Sequence, residues 1–297
     1  MYNPQLETFI HVVEAGSFNK AAEEHFITPP AVIKQVNLLE RNLGVPLFIR
    51  THRGLILTEA GKSLYKDAKY IIRYCKEARE RARRAGEEGN NVIRIGTSPM
   101  TPGQFLVDLL PEIRKYCEDV KFQFVTFENN PENAREILKK LGENIDLVAG
   151  VFDAEFLEER ECSALEMSLE PIRCAVSIDH PLAAKEKLTV EDLYGEDLLL
   201  IRRGWNSFVD ILRDDIWQNH PEIHVKEFDF YSVSVFNQCE NGKDVLMTID
   251  NWKNVHPLLK VLPVEWSHKI PFGLLHSPEP SPLVEKLLKA VQKAMKQ

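Results

Sequence analysis

Leu6, Phe9, Ile10 and Val13 recur at i, i+3, i+4 and i+7, a spacing that predicts an amphipathic helix closing at Gly16, where a residue free to turn left-handed can end it. Ser17 is placed to cap a second helix whose apolar face, Phe18, Ala21 and Ala22, contains two small residues and so suits a close crossing. Thr28 as cap with Pro29 at the first helical position predicts a third helix, and Val32, Val36 and Leu39 define its buried face. On a helical wheel centred on those three, Pro30, Lys34, Asn37 and Leu38 point outward while Ala31 and Ile33 flank. The short apolar runs Leu47–Arg50 and Gly54–Leu57 then predict a hairpin with Arg50 and Arg53 near its tip.

From Thr58 to about Arg84 there is no proline, and Leu64, Ala68, Ile71, Cys75, Ala78 and Ala82 step alternately by four and three, the pattern of a coiled-coil seam. Such a helix would run ~40 Å, more than a small unit of three helices and a hairpin can cover, so a second subunit is the expected partner; packing within its own chain is the alternative. Arg79, Arg81, Arg83 and Arg84 read as a solvated face. After the polar linker Gly86–Asn91 the pattern changes. Val92–Gly96, Lys121–Phe127 and Asp146–Val151 are strand-like and alternate with helical spacing over Gln104–Tyr116 and Glu132–Gly142, which implies an α/β sheet. Ile172–Ser177 and Leu198–Ile201 are further strand-like runs.

Two helices joined by a tight turn, the second opening on small residues and presenting Lys34, have the organisation of a helix-turn-helix. A small helical bundle with a solvated lysine would share that pattern, but a basic hairpin beside it makes a wing. At 297 residues with 44% hydrophobic and 28% charged content, the chain should fold around at least two cores. It shows no apolar span and no export signal, so a cytoplasmic protein without membrane contact is expected. The overall charge of −8 conceals an asymmetry: residues 1–85 hold 14 Lys and Arg against 9 Asp and Glu, net +5, leaving net −13 for the rest. That suggests a polyanion-binding amino-terminal part on an acidic body, although the excess lies in residues 58–85. Cys75, Cys117, Cys162, Cys174 and Cys239 stand too far apart for a zinc site and are expected as scattered buried thiols.

The run Gly16-Ser17-Phe18, Ala21-Ala22, Thr28-Pro29-Pro30-Ala31-Val32, Gln35-Val36, Leu39-Glu40, Leu43-Gly44, Leu47-Phe48-Ile49-Arg50, Arg53-Gly54, Leu57-Thr58, Ala60-Gly61 resembles the amino-terminal signature of LysR-type transcriptional regulators. Asp179-His180-Pro181-Leu182-Ala183, followed by Lys187–Leu193, is similar to their effector domains. The resemblance implies an α+β multidomain protein: a winged helix-turn-helix over residues 1–57, a linker and dimerisation helix over 58–85, and a periplasmic-binding-protein-like α/β effector domain over 92–297. The latter would have one subdomain at 92–167 plus 268–297 and a second at 168–267, with crossovers near Glu170 and Ser267. Two departures stand out: Ile33, where the family often has serine, and Thr248-Ile249-Asp250-Asn251-Trp252, where a glycine-containing loop is common.

The implied function is sequence-specific regulation of transcription under control of a small anionic metabolite. Its partners would be double-stranded operator DNA, the effector, a second copy in a homodimer or homotetramer, and RNA polymerase. Thr28, Pro30, Ala31, Ile33 and Lys34 are expected at the major groove, with Arg50 and Arg53 on adjacent backbone or minor groove. For the effector, Thr101 could cap the next helix with Pro102 at its first position; N–H groups at such a start favour an anion, and Ser98 adds a hydroxyl. Arg202, Asn206 and Ser207 would face them from the second lobe. An enzyme on a related binding-protein-like fold and an architectural DNA-binding protein are the alternatives. No Gly-rich phosphate cradle or G-x-S-x-G motif occurs, and the histidines read as scattered structural residues, so no catalytic residue, metal or cofactor is assigned.

Overall fold

The computed structural model describes residues 1–51, 54–86 and 91–295, and divides into two units, Met1–Asn90 and Asn91–Gln297. In the first, α1 (Gln5–Ala15) ends at Gly16, whose φ of 70° lets its N–H reach the Val12 carbonyl. Ser17 Oγ caps α2 (Phe18–Glu24) by accepting from Lys20 N at 3.0 Å. Helix α3 (Pro29–Leu43) starts after Thr28, but the Thr28 hydroxyl caps nothing. The reason is local: Pro29 and Pro30 have no N–H to offer, and the N–H groups of Ala31 and Val32 bond the Thr28 carbonyl instead, at 2.9 and 3.2 Å. Strands β1 (Phe48–Thr51) and β2 (Gly54–Leu57) pair antiparallel from Phe48↔Leu57 to Thr51↔Gly54.

Helix α1 is buried on two sides. Leu6, Phe9 and Ile10 join Leu39 and Leu47, whereas Val12 joins Ala21, Ala22, Val32 and Val36. Val12 is therefore fully buried and Val13 only half-buried, a shift from the simple one-face pattern that follows from sandwiching the helix. The long helix α4 (Glu59–Ala85) supplies Ala68 and Ile72 to the first of these clusters. The expected seam is thus corrected: Leu64 and Ala68 pack within the chain, the next buried position is Ile72, and Ile71 is left 38% exposed. Where α4 begins, Gly61 passes so close to the wing that an added Cβ would lie 2.3 Å from the Leu47 carbonyl oxygen.

The second unit contains two five-stranded sheets. In the first the order is β4 (Lys121–Thr126), β3 (Val92–Thr97), β5 (Leu147–Val151), β12 (Lys269–His276), β6 (Ser163–Pro171). In the second it is β11 (Leu259–Pro263), β7 (Arg173–Ser177), β10 (Val245–Thr248), β8 (Asp197–Ile201), β9 (His224–Phe228). The chain passes from the first sheet to the second between β6 and β7 and returns between β11 and β12, with Ile172 N bonded to the His268 carbonyl at 3.0 Å where the two crossings meet. Helices α5 (Gln104–Arg114), α6 (Pro131–Lys139), α7 (Ala154–Glu159) and α10 (Pro282–Ala294) belong to the first lobe; α8 (Ser207–Asn219) and α9 (Val233–Asn241) lie in the chain of the second. Strands β5 and β8 are almost wholly buried, as apolar runs covered on both faces should be. No helix of the described residues is long and apolar enough to cross a membrane.

Candidate functional sites

The first candidate site is the outer face of α3. Val32, Val36 and Leu39 anchor the helix from behind, so Pro30, Lys34, Asn37 and Leu38 are exposed and Ala31 and Ile33 half-buried. Two polar tethers fix its position. Thr8 Oγ1 on α1 bonds Gln35 Oε1 at 2.5 Å, and Glu40 Oε1 accepts from the Leu47 and Phe48 N–H groups at 2.7 and 3.2 Å. The Glu40 carboxylate therefore ties the base of the wing to the recognition helix, a positioning role that spacing alone did not reveal. Among the described residues, neither the exposed Thr28 hydroxyl nor the Lys34 ammonium has a side-chain partner. Arg53 lies outside the described residues, as does the Arg50 side chain; the Arg50 backbone pairs with Leu55.

The second candidate site is a cavity of about 530 Å³ in the effector unit. Phe127, Ile137, Leu138, Val148, Phe156 and Leu275 form its apolar wall, while Thr101, Asn129 and Arg135 belong to the first lobe and Arg202, Trp205 and Tyr231 to the second. The lobes are clasped around it by three hydrogen bonds: Asn129 Nδ2 to the Tyr231 carbonyl at 2.7 Å, Trp252 Nε1 to the Met100 carbonyl at 2.9 Å, and Ser207 N to Asp153 Oδ2 at 2.5 Å. Tyr231, Trp205 and Trp252 pack as an aromatic group, and burial pushes the Tyr231 hydroxyl pKa well up, keeping it neutral as it bonds the Met247 carbonyl.

Of the five residues expected here, Thr101 and Arg202 line the cavity and Ser98, Asn206 and Ser207 do not. The helix start assigned to Thr101 is corrected, because α5 begins at Gln104 with Gly103 as its cap. Thr101 Oγ1 instead bonds Ser98 Oγ at 2.8 Å within a tight turn, which occupies both hydroxyls. The positive start of α8 is also taken: Asp153 of the first lobe accepts from Ser207 N, and Asn206 Oδ1 accepts from Phe208 N at 3.0 Å. Sequence reading missed Phe156, Arg135 and Arg160, which only the folded sheet brings together.

Residues 4–62 match the profile of the bacterial regulatory helix-turn-helix protein, lysR family, and residues 86–230 match the LysR substrate binding domain. The chain belongs to the LysR family. Among its relatives is YvbU, an uncharacterized HTH-type transcriptional regulator of Bacillus subtilis, 29% identical over 74% of this chain and 73% of that protein. The HTH-type transcriptional activator CmpR of Synechocystis is 31% identical over 67% of this chain and 63% of its own length. The hydrogen peroxide-inducible genes activator of Pectobacterium carotovorum is 29% identical, with 64% of its length covered. The fold is that of CbnR, a LysR family regulator, with a TM-score of 0.66 at 19% identity over 100% of both chains. CbnR crystallised with its target DNA gives 0.64 at 20% identity over 99% of this chain and 100% of that one. This LysR-family chain is accordingly a DNA-binding transcriptional regulator with an effector-binding domain, not an enzyme.

Proposed function

We propose that the exposed face of α3 reads the major groove of operator DNA, and that a small anionic metabolite bound between the two lobes of the effector unit changes how the protein occupies that operator. The observation that carries the first half is the rigidly held α3 face, on which Lys34 and the Thr28 hydroxyl stand without protein partners. Lys34 and Thr28 supply phosphate contacts, Pro30 and Ala31 allow close approach, and Ile33 offers an apolar contact to a thymine methyl. Arg50 and Arg53 would hold the adjacent backbone or minor groove from the wing. The effector half rests on a cavity that touches both lobes and carries Arg202 among its walls, so that a ligand can favour one arrangement of the lobes over another.

The protein would act in the cytoplasm as a dimer joined through α4, or as a tetramer of such dimers, with RNA polymerase as a partner at the promoter. Peroxide sensing of the kind named for one relative finds no support in the four buried cysteines. Burial raises the thiol pKa of Cys117, of Cys162 to about 11, of Cys174, and of Cys239 to about 12, whereas attack on an oxidant requires the thiolate. Hydroxyl-radical footprinting of the full-length protein on a selected operator, with and without carboxylate metabolites, tests both halves. The reading requires a protected site that Lys34→Ala weakens, and a footprint or affinity that changes with ligand.

A further inference from the structure

We infer that the effector cavity is built for a monocarboxylate with a sizeable apolar body, held with its apolar part in the first lobe between α6 and α7 and its carboxylate against Arg135 and Arg160. This deepens the effector reading above and rests on it. Three observations converge. The first is an apolar wall: Ile137 and Leu138 of α6, Phe156 of α7, Val148 of β5 and Leu275 of β12 belong to one apolar cluster of the first lobe, and all five also line the cavity. An apolar ligand body laid against that wall removes apolar surface of both partners from water.

The second observation is the charge beside that wall. The Arg160 guanidinium lies 3.9 Å over the Phe156 ring, its side chain only 16% exposed, and pairs among the described residues with Glu159 at 3.1 Å, itself 52% exposed. Burial lowers the Arg160 pKa, with Glu159 opposing and Arg135 nearby adding to the lowering. The third is that the Arg135 side chain has no hydrogen bond or ion pair among the described residues, and neither has the Arg202 side chain across the cleft, whose backbone N–H bonds the Phe228 carbonyl. Glu132 and Asp229 also line the cavity, and Glu159 already pairs with Arg160, so Arg135 and Arg202 are the lining cations whose side chains have no carboxylate partner among the described residues. A carboxylate between Arg135 and Arg160 would offset the repulsion between the two guanidinium groups, and a second carboxylate on the same ligand would have to lie against the apolar wall.

The test uses full-length protein and isothermal titration with a straight-chain series, butanoate to decanoate, beside 3-phenylpropanoate, succinate, inorganic phosphate and the alcohols matched to the carboxylates. Affinity should rise about fourfold per added methylene until the cavity is full. Each alcohol should bind about tenfold or more weakly than its carboxylate. Arg160→Gln and Arg135→Gln should each cost about tenfold for the carboxylates alone. Ala134→Trp, which fills the cavity from α6, should abolish binding of the longer members; circular dichroism of the ligand-free variants checks their folding. No saturable binding by any monocarboxylate at millimolar concentration overturns the inference, as does equal binding of the alcohols. Tighter binding of succinate or phosphate that depends on Arg202 but not on Arg135 and Arg160 also overturns it, while leaving an effector in the cleft. Carboxylate binding as described that leaves operator occupancy unchanged would instead retain this site and remove the switch.

Discussion

Lys34 and His11 illustrate how single side chains in the winged unit translate into measurable behaviour. Lys34 is exposed on the outer face of α3, and a lysine on phosphate contributes affinity by displacing counterions. Lys34→Ala should weaken operator binding and reduce the slope of log affinity against log salt by about one, as anisotropy titrations at several salt concentrations would show. An unchanged slope and affinity would remove Lys34 from the interface. His11 on α1 stacks on His25, the residue after α2, with ring centroids 3.6 Å apart. Burial, and then the neighbouring His25, lowers the His11 pKa, against opposing pulls from Glu14, Glu7 and Glu24. The unfolded chain therefore takes up this proton first as pH falls, so stability is lost as pH drops from the ordinary histidine pKa of ~6.5 to the lowered one and levels off below it. Denaturation of the winged unit should show a smaller pH-dependent loss in His11→Gln than in the unmodified protein, and equal losses would refute the assignment.

At the scale of elements, the wing and α4 each depend on a contact that can be broken separately. Glu40 accepts two N–H groups at the start of β1, and leaving such donors without a partner costs ~1–3 kcal/mol. Glu40→Ala should lose stability of that order and weaken operator binding although Glu40 need not touch DNA; Glu40→Gln, which keeps an acceptor oxygen, should recover much of both. Thermal unfolding and anisotropy would expose a merely passive Glu40 by showing no loss. On α4, Ile72 is buried against α1 whereas Ile71 is exposed. Ile72→Glu should unfold the winged unit, while Ile71→Glu should keep the fold and dissociate the dimer; light scattering that finds Ile71→Glu still dimeric would contradict dimerisation through this face. Elements defined by local chemistry were legible in sequence: α1 to α3 are delimited by Gly16, Ser17 and Pro29, and the apolar runs of β3, β5 and β8 stand out. Helix α8 was not, because exposed Ile211 and Trp217 blur its stripe and buried Arg213, bonded to the Ile201 carbonyl and to Glu227 at 2.8 Å, looks like a surface residue.

At the scale of the whole molecule, the amino-terminal unit was far more legible than the effector cavity, and the difference is one of sequence distance. The α3 face is written in one short segment whose outward residues follow from helical periodicity, whereas the cavity gathers Phe127, Phe156, Arg202 and Leu275 through pairing of strands distant in the chain. Thr101 and Arg202 could be placed at strand ends, but Arg135 and Arg160 acquire meaning only beside the void. The clasps Asn129–Tyr231, Trp252–Met100 and Ser207–Asp153 cross between the lobes and are the contacts through which a bound ligand could bias their arrangement. The central claim remains that the α3 face of this LysR-family protein reads DNA sequence as part of a two-fold assembly. Selection of duplexes from a random library by the full-length protein tests that claim most directly. The expected result is an enriched motif of two inverted half-sites whose centres lie about one helical turn, roughly 10 base pairs, or a multiple of it apart, with enrichment diminished by Lys34→Ala. Enrichment of no motif, or of one that is unaffected by Lys34→Ala together with substitutions at Thr28 and Ile33, would contradict it.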